Sequence, residues 1–165
     1  MAREPRGRLV LELLKDDWGN GGVDDFGITP KISFGWFEED VDQPQVTVGQ
    51  PEESPVDGGQ TGYSHISADG DPGQTVGGSI DVHVWASTGD LDAQNASTAN
   101  PREFNERACE EVQRIVGENA ASPTNPATGN EPLSSIAYDG RQPVPEPDRD
   151  DVFHYVAIVQ YGYED

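Results

Sequence analysis

Between Gly77 and Gly117 the apolar pattern changes its period, and few architectures accommodate that change. Along Ser79-Ile80-Asp81-Val82-His83-Val84-Trp85-Ala86 it alternates, so Ile80, Val82, Val84 and Ala86 share one face of a strand and Asp81, His83 and Trp85 the other. A polar loop follows. Asn100-Pro101-Arg102-Glu103 then supplies a capping side chain, a proline at the first helical position and an acid in the first turn. Beyond it Phe104, Ala108, Val112, Ile115 and Val116 recur at helical spacing until Gly117, where the helix is expected to end. A half-apolar strand and a helix with one apolar stripe bury those surfaces against each other, which predicts a sheet and a helix sharing one core. The mixed face of the strand is left to meet a neighbouring subunit.

The flanking segments extend the pattern. A first helix is expected from Pro5 to about Asp17, with Leu9, Val10, Leu13, Leu14 and then Trp18 as its stripe, broken by Gly19-Asn20-Gly21-Gly22. After Pro30, period two puts Ile32, Phe34 and Trp36 on one face of a strand, and Val46 and Val48 mark a second short strand. Residues 49–78 are rich in Gly, Pro, Ser and acids, too long for an ordinary connection, and read as an inserted loop or projecting hairpin. A short strand is expected at Leu133 to Tyr138, and a charged, proline-rich connector from Arg141 to Asp151. The last strand, Val152 to Tyr163, carries Phe153, Tyr155, Ala157, Val159 and Tyr161 on one face and Val156 and Ile158 on the other, as a central strand would. The fold class is α+β: a mainly antiparallel sheet with the N-terminal helix and a second helix packed on one face, in one domain spanning 1–165 with the insertion at about 49–78. Trp85, Phe104, Ile158 and Leu13 are the expected core or interface anchors.

Charge narrows the partners. The chain of 165 residues has 31 acidic against 10 basic residues, a formal charge of -21, and only Lys15 and Lys31 as lysines. Such a surface repels nucleic acid backbones and suits molar salt, where the screening length falls to about 3 Å. With 33% hydrophobic residues the core is modest, and a partner surface is expected to complete it. The single Cys109, inside the second helix, excludes an internal disulfide framework and a thiolate zinc cage within one chain. The longest apolar run, Tyr155 to Val159, is strand-sized, and neither a membrane span nor export by a leader is expected.

Catalytic patterns are missing. Ser64 and Ser79 occupy no G-x-S-x-G elbow, Ser64 and His65 are neighbours without implied geometry, and no phosphate-binding glycine motif is present. His83 and His154 lie on strands and could meet across a sheet, as packed or interface side chains. His65, Asp69 and Asp71 are the weak candidates for a metal, with Asp148, Asp150 and Asp151 a second acidic group. Asp69-Gly-Asp71-Pro-Gly lacks the third ligand and closing glutamate of a calcium loop, and diffuse cation binding is the simpler expectation. Asn95-Ala-Ser97 is a chance sequon in a polar loop. Arg3, Arg6 and Arg8 form the one basic cluster, and with Tyr63, His83 and Trp85 they complete the candidate interface residues. No enzyme activity, catalytic residue or cofactor is expected.

The leading helix, the segment Gly77-Gly78-Ser79-Ile80-Asp81-Val82-His83-Val84-Trp85-Ala86, the helix Phe104 to Val116 and the closing strand together resemble the tail terminator, or tail-completion, proteins of long non-contractile-tailed viruses. The resemblance covers roughly two thirds of the chain, in pattern more than in identities, and the insertion between Val48 and Gly77 departs from the shortest members. It implies a hexameric ring that caps the tail tube, stops its polymerisation and meets the head-tail connector, in a virion assembled in the host cytoplasm. DNA would pass through without specific binding, and the acidity implies a halophilic host. Two other readings share the same features: a head-side adaptor or tail-tube subunit, and a small metal-dependent binding protein.

Overall fold

The computed structural model describes residues 5–19, 30–41, 43–55, 65–66, 72–73, 75–93, 100–146, 149 and 151–164. In chain order the elements are α1 (Arg6–Asp17), β1 (Lys31–Phe34), β2 (Gln45–Val48), β3 (Glu52–Pro55), β4 (His65–Ile66), β5 (Pro72–Gly73), β6 (Thr75–Ser87), α2 (Thr88–Ala93), α3 (Pro101–Glu118), β7 (Ser135–Val144) and β8 (Val152–Glu164). The main sheet has the order β1-β2-β6-β8-β7, with β3 also pairing β6, and β4 pairs only β5. All pairings in the main sheet are antiparallel except β1 with β2. The fold is α+β, a mostly antiparallel sheet with an N-terminal helix and a further helix packed on it.

Alternation in the two thirteen-residue strands, β6 and β8, sorts the sheet into two faces. Ile80 pairs with Val159, Val82 with Ala157 and Val84 with Tyr155, and this row meets the stripe of α3 and Leu9, Val10, Leu13 and Leu14 of α1 in one core. Asp81, His83 and Trp85 pair with Ile158, Val156 and His154 on the opposite face. α3 forms where expected because Asn100 accepts from the Arg102 N–H and Pro101 opens the first turn; it runs one residue past Gly117 and ends at Asn119. Asn105 fastens it to β8, donating to the Phe153 carbonyl at 2.9 Å. The first helix starts at Arg6, with the extended Pro5 just outside it.

Several expectations are corrected. Trp36 does not continue β1: the strand ends at Phe34, Gly35 takes φ +99°, a conformation L side chains rarely adopt, and Trp36 turns onto the face opposite Ile32. Residues 49–78 are not wholly an insertion, since β3 and the start of β6 belong to the main sheet, while the β4–β5 pair is a small hairpin apart. The polar loop before α3 contains α2, begun by a reciprocal cap in which Ser87 N–H donates to Asp90 and Asp90 N–H to Ser87. The connector from Arg141 is in part strand: β7 runs to Val144 through a bulge between Tyr138 and Gly140. Pro143 is tolerated there because β7 is an edge strand, where a missing N–H breaks no ladder.

Candidate interface on the open face of the sheet

Among the described residues, no helix covers the face that carries His83 and Trp85. Instead a strap, residues 35–41, leaves β1 and crosses it on the way to β2. Two side-chain arrangements pin the strap. Gln45 accepts from the Glu38 N–H at 2.9 Å and donates to the Glu38 carbonyl at 2.7 Å, and Lys31 pairs with the Glu38 carboxylate. Arg149, from the β7–β8 connection, pairs with Glu39 at 2.7 Å and lies 4.5 Å over the Phe37 ring. The strap therefore holds Trp36 and Phe37 on the sheet. Trp36 sits edge-on at 4.9 Å from both His83 and Trp85 and 5.9 Å from His154, and Phe37 covers Trp85 at 5.2 Å.

Trp85 is consequently inside. It is fully buried, stacked on His154 with centroids 3.5 Å apart, and its indole N–H donates to Thr47 Oγ1 at 3.2 Å. Trp85 lies under Trp36 and Phe37, and on this face Trp36, 57% exposed, is the large hydrophobic side chain that faces outward among the described residues, while Phe34, 42% exposed, lies on the α1 side beside Gly7 and Arg8. Period two hid this by grouping Trp36 with Ile32 and Phe34, although Gly35 was the available signal that the alternation stops.

The two strand histidines do meet. His83 Nδ1 and His154 Nε2 are 2.7 Å apart, and His154 Nδ1 is 2.8 Å from Glu146 Oε1. An ionised carboxylate only accepts, so His154 donates from Nδ1, which leaves its Nε2 to accept from His83 Nδ1–H. The relay has one consistent proton arrangement, with the lone pair of His83 Nε2 at its end. Burial lowers the pKa of both rings, that of His154 to about 4 against the pull of Glu146, and Asp81 and Glu146 oppose the shift at His83. Glu146 and Arg149 carried no weight in the sequence because the pairing of β7 with β8 beyond Tyr138 is what brings them alongside.

The remaining candidates are placed as follows. Arg6 lies 4.1 Å over the Tyr163 ring and 3.6 Å from Glu53, and Arg8 pairs with Glu12 at 3.4 Å beside the Phe34 ring, so both are engaged within the chain. Arg3, Tyr63, Asp69 and Asp71 lie outside the described residues, as does Ser64, and His65 is described only as the backbone of β4. Among the described residues no group of three His, Cys, Asp or Glu converges to hold a metal ion, and no helix is long and apolar enough to cross a membrane. Neither a family model nor a curated protein matches the chain.

Proposed function

We propose that the chain is a structural virion subunit, a tail terminator that forms a ring on the tail tube, ends tube polymerisation and meets the head-tail connector. The assembly part of this reading rests on Trp36: a large aromatic, 57% exposed, on a sheet face that no helix among the described residues covers, in a chain whose formal charge is -21. Exposed aromatics over a packed base are what subunit contacts bury, and truncating one at an interface costs upward of about 2 kcal/mol, roughly thirtyfold in dissociation constant. The sheet borders contribute less. β7 is blunted by its bulge and by Pro143, and β1 is four residues long, so unlimited edge-to-edge growth is disfavoured. A face that packs against a different patch on the next copy closes into a ring when the rotation closes.

The tail identity is supported by the resemblance of the helix, the Gly77–Ala86 segment, α3 and the last strand to that family. Acidic residues lining the hole would let DNA slide through without specific binding. Molar salt in a halophilic host screens the repulsion between copies. The test is light scattering in molar KCl followed by mixing with tail tubes. A hexamer that Trp36→Ser dissociates, and that stops tube growth, is the expected result. A stable monomer at every concentration overturns the ring. A ring that extends tubes makes the chain a tube subunit, and one that binds only the head side makes it an adaptor; either overturns the terminator assignment.

A further inference from the structure

The open face carries a chain of three ionisable groups that a ring-forming surface does not need. We infer that Glu146, His154 and His83 form an acid-sensitive latch that seats the Trp36 ring on the sheet. The geometry requires one arrangement of protons: Glu146 accepts from His154 Nδ1 at 2.8 Å, and His154 Nε2 accepts from His83 Nδ1 at 2.7 Å. Trp36 rests edge-on against both imidazoles and against Trp85, so its seat is the relay itself.

Two protons act differently on this relay. The first goes to His83 Nε2, the lone pair at its end, and leaves the His83 Nδ1–H donor in place; the Trp85 ring, stacked on His83 with centroids 5.8 Å apart, presents a face that tolerates the cation. The second must go to His154 Nε2. It replaces the acceptor by a donor, sets two N–H groups against each other at 2.7 Å and places two imidazoliums side by side. The latch therefore holds one added proton and opens on the second. Burial delays both steps below the usual histidine range, and His154 reaches only about 4.

Among the described residues, charged groups reach the relay from the strands, the strap and α3. Asp81 and Glu146 are the acids acting on His83. From the strap, Glu38 and Glu39 are tied to Lys31 and Arg149, and β2 contributes the neutral Thr47 and Gln45. Arg102, at the start of α3, and Arg149 share a groove with His154 and Glu146. Because Gln45 holds the Glu38 backbone independently of pH, the strap stays while the Trp36 ring leaves. The device needs no second copy and stands apart from the ring assignment.

The experiment uses the full chain in molar KCl with 5-fluorotryptophan, whose three signals are assigned with Trp36→Phe. Between pH 6 and 4 the Trp36 signal should move to its solvent-exposed position, the signal of Trp85, stacked on His154, should shift with it and that of Trp18 should stay, reversibly and with far-UV circular dichroism unchanged. In His83→Gln, which keeps a donor but does not titrate, the midpoint should fall by a pH unit or more. Imidazole nitrogen NMR of the parent should find neutral His83 and His154 both protonated at Nδ1. An Nε2–H tautomer at His83, a Trp36 signal fixed down to pH 4, or an unchanged midpoint in His83→Gln would each overturn the latch. The tautomer measurement decides the matter even where the variant does not fold.

Discussion

Gly78→Ala tests the packing of the sheet at its tightest point. An added Cβ at Gly78 would lie 2.5 Å from both Cζ and the hydroxyl of Tyr161, its partner on β8, and 2.6 Å from the Glu52 carbonyl of β3 on the other side. Neither neighbour yields freely. Tyr161 is buried and donates to Glu53 Oε1 at 2.7 Å, while Glu52 is fixed by the β3–β6 ladder, in which Glu53 faces Gly78. Overpacking costs about 1 to 3 kcal/mol, and displacing Tyr161 forfeits a hydrogen bond to a charged group worth about 1.5 to 3 kcal/mol. The expected loss is about 3 to 5 kcal/mol, a large share of the roughly 5 to 15 kcal/mol that holds a domain folded. Urea unfolding in fixed molar KCl measures it, and a Tyr161→Val background should return at least about 1 kcal/mol by relieving one side. Gly117→Ala is the control: nothing lies within 4 Å of its Cβ, and in a helix the change should stabilise by up to about 1 kcal/mol. A Gly78→Ala midpoint equal to the parent's, with β3 amides still protected from exchange, would refute the reasoning.

Arg114 should be the costliest charge to remove, because it pairs with the fully buried Glu111 while donating to the Asp17 carbonyl and carboxylate, each at 2.8 Å; Arg114→Ala is expected to cost about 3 to 5 kcal/mol by urea unfolding, and Glu111→Leu with Arg114→Leu to recover much of it. Cys109 is fully buried and burial pushes its thiol to about 12, so iodoacetamide should label it at pH 8 only as fast as the chain unfolds; rapid labelling of the native protein would contradict that placement. Acid should destabilise the fold through His83 and His154. Their folded pKa values are depressed, so the stability they confer is complete above about 6.5, the unfolded value, and is lost as pH falls toward about 4, which urea midpoints across that window will show.

Local signals were legible where the cause is local. The alternation of β6 and β8, the Asn100 cap with Pro101, and the stripe from Phe104 to Val116 each depend on neighbours within a turn or a strand, and each element stands where its residues put it. The strap departs from the pattern because one glycine at φ +99° ends an alternation that Trp36 otherwise continues. β7 extends past Tyr138 through Gly140 and Pro143, residues of loop character that an edge strand tolerates. α2 is a single short helix whose local signal is the spacing of Ser87 and Asp90, that of a reciprocal cap, within an otherwise polar stretch.

What the sequence by itself determined is which side chains share a face and where helices begin, since backbone period and capping chemistry act over a few residues. The tertiary structure alone decided the parallel pairing of β1 with β2, the burial of Trp85 beneath the strap, and the meeting of His83 with His154 across 71 residues. Those outcomes depend on register between distant strands, and a one-residue slip would move every side chain involved to the opposite face. The relay and the exposed Trp36 are therefore properties of the assembled sheet, invisible to any window of the chain read alone.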